Sequence, residues 1–111
     1  MTAPAVVDAR QRACAGFGAL SDPLRWGVVR LLAAGERCVC DLESATGLAQ
    51  SRLSYHLSIL RKAEIVTARK EGRWVYYALS PDVLADLTSV LGAVVSECKD
   101  GGRPGEASRC D

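Results

Sequence analysis

The feature that most constrains the fold of this 111-residue chain is a short link, Gly47-Leu48-Ala49-Gln50, between two stretches of helical character. Asp41 to Thr46 reads as a short helix, and Gly47 closes it. Ser51 to Lys62 reads as another, with Leu53, Leu57 and Leu60 at core spacing and polar or basic residues elsewhere. A link of this length between two helices fits a helix-turn-helix.

The flanking segments extend the pattern. Ala5 to Leu20 can form a helix, with Gly16 and Gly18 weakening its end. Ser21-Asp22-Pro23 is a helix start, because Asp22 can cap and Pro23 sits where a missing N–H costs nothing. The next helix carries Leu24, Val28, Leu31 and Leu32, and Gly35 stops it. Downstream, Ile65-Val66-Thr67-Ala68-Arg69 and Trp74-Val75-Tyr76-Tyr77-Ala78-Leu79 are β-rich and flank Lys70-Glu71-Gly72-Arg73, a hairpin turn with its glycine. Ser80-Pro81-Asp82 starts a last helix with Val83, Leu84, Leu87, Val90, Leu91, Val94 and Val95 as a wide apolar stripe. The order α-α-α-α-β-β-α gives a mainly α fold with one β-hairpin: a winged helix-turn-helix, dimeric through its terminal helices. Residues 1–16 are an N-terminal arm or helix, 17–99 the winged domain with its dimerisation helix, and 100–111 a disordered tail.

Charge is informative only in its distribution. The whole chain carries a net +1. Ala49 to Arg73 holds six basic residues against Glu64 and Glu71, a net of +4, which leaves −3 for the remainder. Such a localised basic segment suits a phosphate-binding face. A recognition helix presents its N-terminal residues to base edges in the major groove of double-stranded DNA. Here these are Gln50, Ser51, Arg52, Ser54 and Tyr55, with Arg61 farther along. His56, the only histidine, either touches DNA or packs against the turn. Arg69, Lys70 and Arg73 at the hairpin suit a wing that holds backbone phosphates.

Five cysteines, Cys14, Cys38, Cys40, Cys98 and Cys110, form an odd set, which argues for free thiols or metal ligands over a disulfide framework. Cys38 and Cys40 are two residues apart. Within a regular helix that spacing separates them by about 200°, whereas an extended segment puts both on one face. Gripping one ion then requires non-helical chain, or chain unwound by binding, and unwinding would carry the recognition helix out of register. A helix N-terminus and the adjacent Arg37 predict a lowered thiol pKa. Soft thiolates select Cu(I), Zn(II), Cd(II), Pb(II) or trivalent arsenic or antimony. Two sulfurs are too few for a tetrahedral site, and a third completes a trigonal one.

Three motifs in order carry a family likeness: Glu36-Arg37-Cys38-Val39-Cys40-Asp41-Leu42, the run from Gln50 to Arg61, and Arg69-Lys70-Glu71-Gly72-Arg73-Trp74-Val75-Tyr76-Tyr77. From about Phe17 to Leu91 the chain resembles the ArsR/SmtB family of metalloregulatory repressors. The resemblance implies a homodimer that binds operator DNA and leaves it when As(III) or Sb(III), or alternatively Cd(II), Pb(II) or Zn(II), binds its thiolates. Cys38 and Cys40 match the motif's two ligands. The family's arsenite sensors often place a third cysteine where this chain has Glu43. Cys14 is the preferred third ligand, then Cys98, then Cys110. The histidines of the family's last-helix zinc site are absent from this sequence. A thiol redox switch of DNA binding is the other alternative. The sequence shows no phosphate-cradling glycine loop, no Ser/His/Asp set and no apolar run of membrane-spanning length, and Met1-Thr2-Ala3-Pro4 is not expected to act as a secretory signal. It is expected to be cytoplasmic and not an enzyme.

Overall fold

A computed structural model describes residues 3–101, with side chains from 9 to 98. The element order is α1 (Ala3–Leu20), α2 (Pro23–Leu32), β1 (Arg37–Cys38), α3 (Val39–Thr46), α4 (Gln50–Lys62), β2 (Val66–Glu71), β3 (Trp74–Leu79) and α5 (Pro81–Gly101). Cys110 and most of the expected tail lie outside the described residues.

The helix boundaries follow local chemistry. Asp22 caps α2, accepting hydrogen bonds from the Leu24 and Arg25 amides at 2.8 and 3.1 Å. These bonds hold its carboxyl below the usual carboxylate range. At the helix-turn-helix corner Gly47 takes the left-handed conformation at φ 73° and donates to the Glu43 carbonyl. The Thr46 hydroxyl donates to the Leu42 carbonyl and accepts from the Leu48 amide, which stitches the turn to α3. At the other end of α4 a non-glycine residue does the same work. Glu64 sits at φ 65°, and the Glu64 and Ile65 amides bond to the Arg61 and Leu60 carbonyls. That is the paired-bond helix terminator usually built on glycine. In α1 the two glycines do not end the helix, which runs unbroken past residue 16 to Leu20. Gly16 instead admits Leu87: a Cβ there would lie 2.8 Å from a Leu87 methyl.

Two features of the sheet differ from the sequence reading. The hairpin is tighter than a four-residue loop, because Lys70 pairs with Val75 and Glu71 with Trp74. Only Gly72 (φ 62°) and Arg73 remain at the tip. The sheet also has a third strand. Arg37 and Cys38 pair with Tyr77 and Tyr76, giving the order β1-β3-β2.

The core lies between α2, α3, α4 and the base of the sheet. Val28, Leu42, Leu53, Leu60 and Ile65 are wholly buried there, with Leu57 and Val66 nearly so. Leu53, His56, Leu57 and Leu60 form the buried face of α4. The α5 stripe has two parts. Val83, Leu84 and Leu87 pack inward, whereas Val90, Leu91, Val94 and Val95 are 42–57 % exposed. Among the described residues no helix is long and apolar enough to cross a membrane.

Candidate functional site

Cys38 is the last residue of β1 and the residue that precedes α3, with φ −80° and ψ 161°. Cys40 is the second residue of α3. The pair therefore straddles a strand-to-helix junction, and the 200° separation expected of a continuous helix does not apply. The ligand atoms of Cys38, Cys40 and Asp41 all lie within 4.8 Å of one another. Of the two alternatives, non-helical chain is the one found, and unwinding is not needed to bring the sulfurs together. Cys38 is buried and Cys40 exposed, so the site opens on the Cys40 side. The Asp41 carboxylate is the group that sequence reasoning quoted in the motif without assigning it.

The electrostatics also differ from expectation. The Cys40 thiol is pushed up, not down, first by its hydrogen bond with Cys38, then by loss of solvent and by the charges of Cys38 and Asp41. The Arg37 guanidinium is engaged with α2 instead, its Nε donating to the Leu31 carbonyl at 3.3 Å. Cys14, on α1, and Cys98, on α5, are exposed. Neither joins the Cys38–Cys40–Asp41 cluster, the only such ligand group among the described residues.

Around Cys40 the chain forms an open cleft of about 380 Å³. Val39, Cys40 and Glu43 of α3 line one side, Gln50 and Ser54 of α4 another, and Arg73, Trp74, Val75 and Tyr77 of the wing the third. A second open cleft of about 400 Å³, lined by Ser54, Ser58, Arg61, Lys62 and Tyr77, runs between α4 and the sheet. Ser58 and Lys62 join the basic face here, although sequence reasoning did not select them. Lys62 lies one residue beyond Arg61, and the basic pair was the available signal.

Gln50, Ser51, Arg52, Ser54 and Tyr55 are exposed on α4, with Tyr55 at 60 %. Arg61 is exposed, as are Lys70 and Arg73 at the wing, and none of the three is in an ion pair among the described residues. Two predicted contacts are corrected. His56 is buried, only 5 % exposed, and faces the interior. Its Nδ1 lies 3.1 Å from an Arg25 guanidinium nitrogen, while Arg25 Nε donates to the Ala19 carbonyl at 2.7 Å. A guanidinium only donates, so the ring accepts at Nδ1. His56 thus ties α4 to the α1–α2 corner. Arg69 is committed as well. It forks onto Glu36 at 2.8 and 2.9 Å, reaches Glu71 at 2.8 Å, and lies 4.8 Å over the Tyr76 ring. This pairing lowers the Glu36 pKa and raises that of Arg69. It also clamps the loop before the thiol pair to the wing.

The thiol junction, the turn into α4 and the wing are therefore one connected unit. The domain described as bacterial regulatory protein, arsR family, matches residues 22–68. The chain is 46 % identical over 76 residues to the arsenical resistance operon repressor of Escherichia coli strain K12, covering 68 % of this chain and 65 % of that protein. It thus spans a little less than two-thirds of that relative's length. It is 40 % identical over 74 residues to the arsenical resistance operon repressor of Bacillus subtilis strain 168, covering 66 % of this chain and 70 % of that protein. Among solved structures, the homodimeric winged helix-turn-helix DNA-binding domain Mb0332 from Mycobacterium bovis superposes with a TM-score of 0.65 at 28 % identity, covering 92 % of this chain and 93 % of that one. Sequence and fold agree, and this chain belongs to the ArsR family of bacterial regulatory proteins.

Proposed function

We propose that this chain is a homodimeric repressor that holds operator DNA through α4 and the wing, and releases it when trivalent arsenic or antimony binds Cys38 and Cys40. The observation that carries the reading is the convergence of Cys38, Cys40 and Asp41 at a junction that pairs with the wing strand and leads through α3 into the reading helix. The repressors of arsenical resistance operons among its relatives support the same reading.

Each part has a physical task. Gln50, Arg52, Ser54 and Tyr55 present hydrogen-bonding groups to base edges. Arg61, Lys70 and Arg73 neutralise phosphates, so affinity falls steeply with salt. The exposed apolar half of α5 serves as the dimer seam, which sets two reading helices at the spacing of a two-fold operator. An inducer on the sulfurs occupies the angle between α3, α4 and the wing. It shifts DNA affinity to the extent that it binds the released arrangement better than the DNA-bound one.

The donor set supports a second reading. Asp41 adds an oxygen to the two sulfurs, and a mixed set accommodates Cd(II), Pb(II) or Zn(II). A mobility-shift titration on the promoter of the chain's own operon separates the two. The first reading predicts release by arsenite or antimonite at concentrations at least tenfold below those of the divalent ions. It also predicts that Cys38→Ser and Cys40→Ser each abolish release, and that Cys98→Ser leaves it intact. Release by arsenite from the Cys38→Ser/Cys40→Ser protein overturns the site assignment.

A further inference from the structure

Two mechanical routes lead out of the thiol junction. One runs forward along the chain, through α3 and the turn into α4. The other runs sideways across the sheet to the wing. Strand β1 is only two residues long, and two register pairs attach it to β3. Its hold on the wing would be slight without a second fastening, and the Glu36–Arg69 fork supplies one. Glu36 immediately precedes β1 and Arg69 lies on β2, so the fork joins the two outer strands over the central one. It crosses Tyr76, whose ring centroid lies 4.8 Å from the guanidinium carbon. Tyr76 is the register partner of Cys38 on one side and of Arg69 on the other. Directly opposed residues share a face of the sheet. A ligand sulfur, an aromatic ring and a forked cation therefore occupy one row. Glu71, 2.8 Å from Arg69, fixes the guanidinium from the wing side.

This arrangement is suited to transmit position. An arginine held to a carboxylate by two parallel bonds is fixed in orientation as well as distance, which a single ion contact does not achieve. Cys38 is only 8 % exposed. An atom bonded to its sulfur has to displace neighbours, because packed interiors move between discrete arrangements and do not compress. Glu36, two residues away, shares in that shift. The fork passes it to β2 and so to the wing tip, where Lys70 and Arg73 are exposed. We infer that Glu36 and Arg69 are a positioning pair that carries the state of the thiol junction to the wing, with Arg69 acting through the wing and not on a phosphate. This inference rests on the proposed inducer-responsive repressor and assigns the route of its regulation.

A relay and a brace have different signatures. A brace changes stability alone. A relay changes the ratio of operator Kd values measured with and without inducer, which is the coupling between the two sites. Residues that carry coupling alter such a ratio by about twofold to thirtyfold without touching either ligand.

The test uses the full-length protein with arsenite as the probe. Operator Kd is measured by fluorescence anisotropy with and without saturating arsenite, and loading of the thiols is followed separately by sulfur–arsenic ultraviolet absorbance. Glu36→Gln/Arg69→Gln removes the fork and keeps the net charge, since one negative and one positive group are lost together. This variant is expected to load arsenite and to hold unloaded operator as the parent does, while its Kd ratio falls by at least about threefold. Arg69→Lys keeps the charge but cannot fork, and its ratio is expected to fall as well. Lys70→Gln, which removes an exposed wing cation, is expected to do the reverse: weaker binding, a smaller salt slope and an unchanged ratio. A parent-like ratio in either fork variant overturns the inference and leaves the proposed function standing. So does a folded double variant that no longer binds unloaded operator. Where the double variant does not fold, Arg69→Lys decides alone. A parent protein that loads arsenite without losing operator affinity overturns the proposed function itself, and the relay with it.

Discussion

Replacing His56 by Leu separates a brace from a DNA contact. The ring accepts from Arg25 in a nearly sealed position, 5 % exposed. Leucine leaves that guanidinium N–H half-buried without its acceptor, and an unsatisfied group of this kind costs about 1–3 kcal/mol. For a domain of this size each kcal/mol lowers Tm by about 4–8 °C, so a cost of about 2 kcal/mol lowers it by about 8–16 °C. Melting is followed by circular dichroism at fixed protein concentration, because the Tm of the proposed dimer would depend on it. Arg25→Met completes a double-mutant cycle. The two substitutions are expected to be non-additive by about 0.5–3 kcal/mol, since contacting residues couple. Operator affinity, measured well below the melting range, is expected to change less than stability does. A His56→Leu protein that melts like the parent but loses operator binding would refute the brace, and so would a coupling energy within about 0.3 kcal/mol of zero.

Three further predictions concern the scaffold. Gly47→Ala is expected to destabilise by about 1–2 kcal/mol from its left-handed backbone alone, because nothing lies within 4 Å of the added Cβ; chemical denaturation measures this. Glu64→Gly, at φ 65°, relieves the same strain and is expected to stabilise by about 0.5–1 kcal/mol in the same assay. The folded-state pKa values of Glu36 and Asp22 are both lowered, from ordinary values of 4.5 and 3.8. Their stabilisation is therefore fully present above those values and is lost as pH falls through the lower folded ones. Denaturation midpoints are expected to fall on acidification, with Glu36→Gln removing the wing's share of the slope.

The helix-turn-helix and the hairpin were legible because their determinants are local. Leu53, Leu57 and Leu60 repeat at helical spacing, and Gly47 and Gly72 occupy the left-handed turns that the reading required. His56 was partly legible too, since it falls between Leu53 and Leu60 on the same helical face. Its Arg25 partner lies 31 residues away and gave no such signal. The Arg69–Glu36 clamp spans 33 residues, and basic character alone suggested a free phosphate ligand. Which of the two alternatives holds for the thiol pair was not legible, for a related reason. A two-residue strand is too short to announce itself, and it exists because Arg37 and Cys38 pair with Tyr77 and Tyr76 far along the chain. Once Cys38 is strand and Cys40 is helix, a continuous helical pitch no longer describes their separation.

The connection between the sulfur pair and the reading helix is tested most directly on a Cys14→Ser/Cys98→Ser/Cys110→Ser protein, which keeps only Cys38 and Cys40. Its operator dissociation constant is measured with and without one equivalent of phenylarsine oxide per protomer, with occupancy verified by intact-protein mass spectrometry. The account predicts at least a tenfold loss of affinity on loading. Equal affinity of the loaded and unloaded protein would contradict it.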